Sequence, residues 1–567
     1  MVNLKSKKLG DLLLLANTAV LVILINLVAS SHFFRIDLTE EGRYSIKTPT
    51  KEILSKLDDK VYIEVYLEGD LNAGFKRFRN SIAETLEEFR IYSGNKVQYT
   101  FIDPAAAMSS KARSEFMSEL ASKGVQPTNV IDNKGGQRVE KIIFPGAVIS
   151  YGGFETGVML LKGNKAHTPE EEINQSIEGV EFELANAIYK LANNDRKRIG
   201  IVTGHNELDS LQLAAFNSAM LEVYDVVKVN IARKNVLAGY DALVIAKPKS
   251  AFSILDKFKL DQYIMHGGKV MFLLDKLEAS MDSASNENYF AFPYDLNLDD
   301  QLFKYGVRLN LDLLQDRSAG VYPVVTGQTG GKPQLKLMDW PFFPLINHYA
   351  DHPITRNLDA VVTKFVSSID TVKAIGIKKT PLLMTSQYTH TVSAPVNVSI
   401  NTLRREVKAE DYTQQFMPVG YLLEGSFTSL FKNRFLPEGS DQKDFKADGV
   451  PTKLIVIADG DIARNDVNPR TGQPQPLGYD PFTKYTFANQ DLLMNALAFL
   501  TNENGLIGAR NKEVKIRPLD RDKAQAEMVK WQLINLALPL ILLCGYGIIR
   551  SILRKRKYAA FENKSVS

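Results

Sequence analysis

Two uncharged apolar runs, one near each end, constrain this chain more than anything between them. The first, Leu12 to Ser30 ("LLLLANTAVLVILINLVAS"), is long enough as a helix, at about 1.5 Å per residue, to cross roughly 30 Å of hydrocarbon. The second, Trp531 to Ile549 ("WQLINLALPLILLCGYGII"), has the same reach. Lys5, Lys7 and Lys8 precede the first run, and Arg550, Arg554, Lys555, Arg556 and Lys557 follow the second. Each basic flank places its own end in the cytoplasm. The expected topology therefore has two spans in the bilayer, both termini inside, and nearly everything from Phe34 to Lys530 on the far side. A cleaved signal peptide is the competing reading of the first run, with Ala29 and Ser31 before a cut, but a signal core holds only roughly 7 to 15 apolar residues. A buried core helix is the competing reading of the second, and such a helix has no use for a polybasic flank. Asn17, Asn26 and Asn535 lie within these runs, where a neighbouring helix satisfies them better than acyl chains do. Trp531 stands where an interfacial aromatic anchor is expected.

The stretch between the runs has an ordinary globular composition. At 567 residues, with about 150 per domain, the chain calls for several cores, and 45% hydrophobic with 24% charged residues excludes a disordered or many-span protein. A net charge of +4 gives no nucleic-acid footprint. The single cysteine, Cys544, lies in the second run, so the outer region has no disulfide, no thiolate metal ligand and no thiol nucleophile. Its stability must come from apolar cores.

Periodicity divides the outer region. "KVYIEVYLEG" alternates like a strand, "FKRFRNSIAETLEEFRIYSG" puts Ile82, Leu86 and Phe89 on one helical face, and "KVQYTFIDPA" is a second strand. A strand pair near Glu140 to Ser150 and Gly157 to Lys162 precedes a helix from about Pro169 to Ala192. The order βαβ then ββα is thioredoxin-like, without redox cysteines, because the loop before the first helix reads "GDLNAGF". Strands Arg198 to Thr203, Asp225 to Ile231, Ala242 to Ala246 and Lys269 to Leu274 then alternate with helices near Ser210 to Val223 and Ile254 to His266, the signature of a doubly wound parallel sheet. The pattern breaks after Asp275 and resumes at "TKLIVIADGDIARND", followed by a helix at about Asn489 to Leu500. The expected organisation is a cytoplasmic N-terminus (1–11), a first transmembrane helix (12–31), a thioredoxin-like domain (32–195) and a doubly wound α/β domain in two parts (196–276 and 450–505). A large insertion or small mixed domain (277–449) interrupts that sheet. A juxtamembrane linker (506–530), a second transmembrane helix (531–549) and a basic cytoplasmic tail (550–567) complete the chain.

Few motifs survive a physical test. "TGQTGGKP", Thr326 to Pro333, misses the phosphate-loop spacing and has Pro333 where a magnesium-binding hydroxyl would be, so it reads as a flexible loop. No dinucleotide fingerprint is present, and no cofactor is expected. "DGDIARND", Asp459 to Asp466, lacks the sixth-position glycine and closing glutamate of a calcium loop; a strand-end Asp more often caps the next turn. "IVTGHNELDS" sets Thr203, Gly204, His205 and Glu207 on a turn at a strand's carboxyl end. Open α/β sheets bind ligands there, and Asp275, Asp459 and Asp461 occupy equivalent positions. These seven residues are the candidate ligand or partner crevice. No nucleophile elbow accompanies them. An acid–base pair of His205 with Glu207 remains open, beside the plainer reading that Gly204 makes the turn and that Asn206, Asp209 or Ser210 caps the helix.

In order along the chain, "RIDLTEEGRYSIKTPTKEIL", "IGIVTGHNE", "YDALVIAKPK", "LDQYIMHGGKVMFLLD", "LLEGSFTSLFKNRF" and "LIVIADGDIARND", bracketed by the two apolar runs, resemble the GldG family of gliding-motility proteins. These are the auxiliary, so-called substrate-binding subunits of gliding-associated ABC transporters in Bacteroidetes-type bacteria. The resemblance covers nearly the whole chain. It implies a non-catalytic subunit of the inner membrane with a periplasmic body, whose partners are a separate permease, a separate ATPase and possible envelope or motility proteins. The unit from Arg198 to Asp275 is also similar to a domain of an intraflagellar transport protein, which is glutamine-amidotransferase-like in fold without the catalytic cysteine. The resemblance brings no ligand residues with it.

Overall fold

The computed structural model describes residues 7–31, 45–104, 110–134, 137–163, 168–192, 196–234, 236–285, 289–329, 332–404, 408–440, 443–501 and 527–562. It divides into two compact units, Met1–Glu513 and Val514–Ser567. The first begins with helix α1 (Lys7–Ser31), whose apolar stretch Leu13–Asn26 is exposed along its length. Most of the expected linker lies outside the described residues.

A four-stranded sheet organises residues 45–192. Helix α2 (Thr48–Ser55) precedes β1 (Val61–Val65), helix α3 (Ala73–Tyr92) and β2 (Val97–Phe101). Helix α4 (Ser110–Ser122) and a separate hairpin, β3 (Thr128–Lys134) with β4 (Gln137–Ile143), come before β5 (Gly146–Tyr151), β6 (Phe154–Met159) and helix α5 (Pro169–Ala192). The strand order is β2-β1-β5-β6, parallel for the first pair and antiparallel thereafter. Alternation in β1 turns Val61, Ile63 and Val65 into the core, where Phe78, Ile82, Leu86 and Phe89 of α3 meet them. The hairpin and α4 were not legible in the periodicity.

Two helix starts in this region show how orphan amides are satisfied. Helix α5 opens with a capping box: the Glu171 amide donates to Thr168 Oγ1 at 3.3 Å, and the Thr168 amide donates to Glu171 Oε2 at 3.0 Å. Helix α2 has Lys47 at its N-cap, which offers no acceptor side chain. The buried carboxylate of Glu181, from α5, takes that role, accepting from the Lys47 amide at 2.6 Å and the Thr50 hydroxyl at 2.8 Å.

The larger sheet has eight strands. Five are parallel: β7 (Arg198–Thr203), β8 (Asp225–Asn230), β9 (Ala242–Ala246), β10 (Val270–Leu273) and, far along the chain, β15 (Asp448–Ile457), in the order β8-β7-β9-β10-β15. Helix α6 (Ala214–Leu221) links β7 to β8, and α7 (Ile254–Met265) links β9 to β10. The first crossover moves one way across the sheet and the second the other, so right-handedness puts these helices on opposite faces. Strands β9 and β10 are buried at every position, which is why they read as unbroken apolar runs.

Between β10 and β15 the chain does two things. Helix α8 (Asp299–Tyr305) adds Leu302 and Tyr305 to the main core, while the ribbon β11 (Ala319–Thr329) with β12 (Lys332–Ile346) contributes to a satellite core around Trp340, Phe342, Phe343 and Phe365. Strands His348–Tyr349, β13 (Ile377–Met384) and β14 (Pro418–Thr428) then extend the main sheet beside β15 in antiparallel sense. The segment from Leu277 to Gly449 is therefore partly main sheet and partly satellite. Within "TGQTGGKP", Gln328 and Thr329 of β11 pair with Pro333 and Lys332 of β12, so cross-strand pairing orders the described residues where a flexible loop was expected. Helix α9 (Asn489–Thr501) packs beside α6.

The second unit holds helix α10 (Met528–Glu562), interrupted chemically but not structurally by Pro539. Its stretch Met528–Arg556 is the one helix among the described residues long and apolar enough to cross a membrane, and α1 supplies a shorter apolar one. This pair fits a membrane-anchored protein. The helix runs on through Arg550 and Arg556.

Candidate functional site

The carboxyl ends of β7, β9, β10 and β15 carry buried charged groups, and these sort into two clusters. At β7 the chain turns at Gly204, whose φ of +122° suits glycine, and Asn206 follows at +56°. This bend folds His205 inward. Its ring stacks on Phe252 with centroids 3.6 Å apart and planes 9° from parallel. Nδ1 is 3.3 Å from Glu207 Oε1 and Nε2 is 3.4 Å from Asp256 Oδ2, while the His205 amide donates to Glu207 Oε2 at 2.8 Å. Asp256 belongs to the first turn of α7, where Ser253 caps its amide at 3.1 Å. Lys259 Nζ sits 3.5 Å from Asp256 Oδ1 and donates to the Ile231 carbonyl at 2.9 Å. His205 is thus a buried pin joining the β7 turn to the start of α7. Thr203 stays at the strand's end, half-buried, and Gly204 is exposed.

The second cluster centres on Lys247, immediately after β9. Its Nζ lies 2.8 Å from Asp275 Oδ2 and 2.5 Å from Asp461 Oδ2, and neither contact is aligned as a hydrogen bond. Lys247 has φ of +52°, unusual outside glycine, asparagine and aspartate, and the turn residue Gly460 packs against it. A Cβ at Gly460 would fall 2.6 Å from Lys247 Cβ, so glycine is required there. Asp275 Oδ1 accepts the Gly460 amide, tying the end of β10 to the turn after β15. Asp459 accepts the Lys364 amide at 2.9 Å and the Ile462 amide at 3.2 Å, the capping work that its position after a strand suggests. Arg464 Nη1 approaches Asp461 Oδ1 at 3.6 Å.

Electrostatics separates the three aspartates. Burial pushes Asp459 well above the usual carboxylate range, and the neighbouring Asp275 and Asp461 push it further. Asp275 is also raised, chiefly by burial, with Lys247 opposing. Burial acts the same way on Asp461, but Lys247 and Arg464 outweigh it and hold its carboxyl below the usual value. Burial disfavours the Lys247 ammonium, yet the Asp275 and Asp461 carboxylates outweigh that and raise its pKa. The arrangement keeps a charged lysine between two carboxylates and favours a proton on the third.

Of the seven sequence candidates, Asp275, Asp459 and Asp461 come together, and His205 with Glu207 forms the other group. The expected open crevice is not what these side chains line. His205, Asp275, Asp459 and Asp461 are buried, because each is turned inward to a partner that burial obliges it to find. Sequence reasoning missed Lys247 and Asp256. Lys247 follows five buried residues and precedes Pro248, a signal for a strand tip at the same end as Asp275; Asp256 follows Ser253 by three, a capping signal. The helix-cap expectation is met in a divided way. Asp209 Oδ1 accepts from the Leu211 and Gln212 amides at 2.8 Å each, in the turn before α6, and Asn465 Oδ1 accepts the Ala215 amide at 3.0 Å.

A mixed α/β body of many sheets, in a chain that also carries apolar end helices fitting a membrane anchor, defines the class. The chain belongs to the auxiliary-component family described as an ABC-type uncharacterized transport system, whose model matches residues 196–496. Membership makes it an auxiliary component associated with an ABC-type transport system, consistent with a non-enzymatic role. Residues 40–150 match a domain of unknown function. An uncharacterized protein of Borreliella burgdorferi is 25% identical over 446 residues, covering 76% of this chain and 80% of that one. Among solved structures, the mmIFT52 N-terminal domain matches with 12% identity and a TM-score of 0.30, over 54% of this chain and 98% of that one. A ThuA-like protein from Parabacteroides merdae matches with 10% identity and a TM-score of 0.25, over 57% and 94%.

Proposed function

We propose that this chain is a non-catalytic auxiliary subunit of an ABC transporter associated with gliding motility, held in the inner membrane by two spans with both termini cytoplasmic and its body periplasmic. The family match over residues 196–496 carries the reading. Its body combines a thioredoxin-like domain used as a scaffold with an amidotransferase-like sheet. Support for the scaffold role is chemical, since the single cysteine is in α10 and leaves the sheets without a thiol. Support for a non-catalytic sheet is the closed state of the strand-end clusters, where acids and histidine are already engaged with one another. In this reading the end helices dock on a separate permease, and ATP hydrolysis by a separate ATPase moves the body through that contact.

Co-purification from the native membrane in mild detergent tests the proposal. Recovery together with a permease and an ATPase is expected. Recovery of the chain alone, under conditions that keep other membrane complexes intact, would count against it.

A further inference from the structure

The connection from β14 to β15 holds its inner half rigidly and offers its outer half to solvent. Asp261 of α7 accepts from the Ser429 hydroxyl at 2.6 Å and from the Leu430 amide at 2.9 Å, and the Phe431 amide donates to Ser429 Oγ at 3.0 Å. Leu430 and Phe431 are buried, with the Phe431 ring edge-on to Phe258 at 5.3 Å. Lys432, Asn433, Arg434 and Phe435 then turn outward, and among the described residues no large apolar side chain is more exposed than Phe435. Tyr305, at the end of α8, donates to the same Asp261 carboxylate at 2.8 Å. One buried acid therefore fixes both the loop and α8, which line a cleft of about 630 Å³. Phe303 and Leu311 also line it, and each is more than half exposed. Aromatic side chains left in water on a fixed frame are suited to anchor a protein interface, because little conformational entropy remains to be lost on docking.

The charge of this surface selects its guest. Lys276, Lys304, Arg308, Lys432 and Arg434 line the cleft, against Asp299 and Asp300. Lys276 pairs with Asp299 at 2.7 Å, and Arg434 shares Asp300, at 3.0 Å, with the buried Lys257 at 2.5 Å. Arg308 and Lys432 reach outside the lining, to Asp370 and Asp448, at 2.6 Å each. Lys304 is exposed and has no ion pair among the described residues; it adds to the pull by which the Lys432 hydrogen bond holds the Asp448 carboxyl below its usual range. With every one of these partners counted, six cations meet four carboxylates, so the surface stays positive. A small inorganic anion would answer the excess and leave Phe303, Leu311 and Phe435 in water. A wholly apolar segment would cover the rings and desolvate Lys304 without a partner. A bilayer presents a broad surface that reaches the tip at Phe435 but not the recess between the walls. A polypeptide segment with carboxylates beside an apolar side chain meets both demands.

We infer that the α8 cleft and the turn at 432–435 form a docking surface for an acidic segment of a partner protein, with Phe435 as the apolar anchor and Lys304 and Arg434 facing its carboxylates. The inference concerns the body of the chain and stands whether or not the partner is a transporter subunit. Photocrosslinking tests it, with p-benzoylphenylalanine in place of Phe435 in the full chain, in its native membrane. Illumination should give a protein adduct, and mass spectrometry should place the crosslink in a segment where Asp and Glu outnumber Lys and Arg. Lys304→Glu and Arg434→Glu should each lower the adduct yield at least about threefold. Circular dichroism and thermal melting establish that each variant is folded, and Lys304, exposed and outside any ion pair among the described residues, is the position least able to disturb the fold. The same photoprobe at Phe154, exposed on the domain of β1–β6, reports random collisions. No adduct, an adduct with lipid alone, a crosslinked segment without acidic excess, equal yield in folded Lys304→Glu, or the same adduct at equal yield from Phe154 overturns the inference.

Discussion

His205 and Lys247 sit at the ends of neighbouring strands of one sheet, and both are buried and charged or chargeable. They are held in different ways. His205 is packed like a core aromatic, flat against Phe252, and its partners Glu207 and Asp256 come from the adjoining turn and helix. Lys247 has its cation between carboxylates delivered by β10 and by the turn after β15, with a left-handed backbone beneath it. The first arrangement is local and well packed; the second is assembled from segments far apart and depends on charge. The lesson is that position at a strand's carboxyl end does not define a site: the same location serves once as a packed pin and once as an ionic knot.

The knot should be the more fragile. Lys247→Met removes the cation that bridges Asp275 and Asp461 and should cost about 3–5 kcal/mol of unfolding free energy by urea denaturation, the range for breaking a buried pair from one side. His205→Ala should cost less, about 2–4 kcal/mol, through the lost stack and the stranded acceptors. A reversal of that order would mean the packed pin, not the knot, secures the strand ends. His205→Ala should also leave assembly with transporter partners intact once stability is restored, and a folded variant that fails to assemble would reopen the crevice reading.

Asp459 gives the comparison a pH axis. Its folded pKa is raised, so its proton contributes stability that is present below the unfolded value and is lost as the pH rises through the folded value. Unfolding free energy should fall from about pH 4 toward neutrality by more in the parent than in Asp459→Asn, which has no proton to lose. Equal slopes from urea titrations across that range would remove the proton from the account. The smallest effect concerns the cap supplied at long range: Asn465→Ala should cost about 1 kcal/mol in thermal unfolding, through the lost acceptor for the Ala215 amide.

Much of the fold was legible because its strands are buried on both faces. "ALVIA" gives β9 at Ala242–Ala246 without error, since parallel strands under helices have no polar alternation to confuse them. The extension strands were not legible. "IKKTPLLM" and "PVGYLLEGSFT" mix charge, proline and glycine, and only pairing with β15 makes them strands of the main sheet. At the candidate site, Asp275, Asp459 and Asp461 were found by their place after apolar runs. Lys247 escaped because a lysine before proline reads as surface loop, and nothing local announces that two distant carboxylates will enclose it.

The hydrogen bond from Gly460 to Asp275 joins residues 185 positions apart. On a ribosome adding about 5–20 residues per second, β10 would wait roughly 10 to 40 seconds for β15 to arrive and cover its open edge. During that interval Lys247 and Asp275 have each other but not Asp461, and the apolar rim of β10 is available to any passing strand. Whatever shelters the half-made sheet over that delay, whether the intervening satellite core or a folding helper, acts before the finished molecule has any partner to meet.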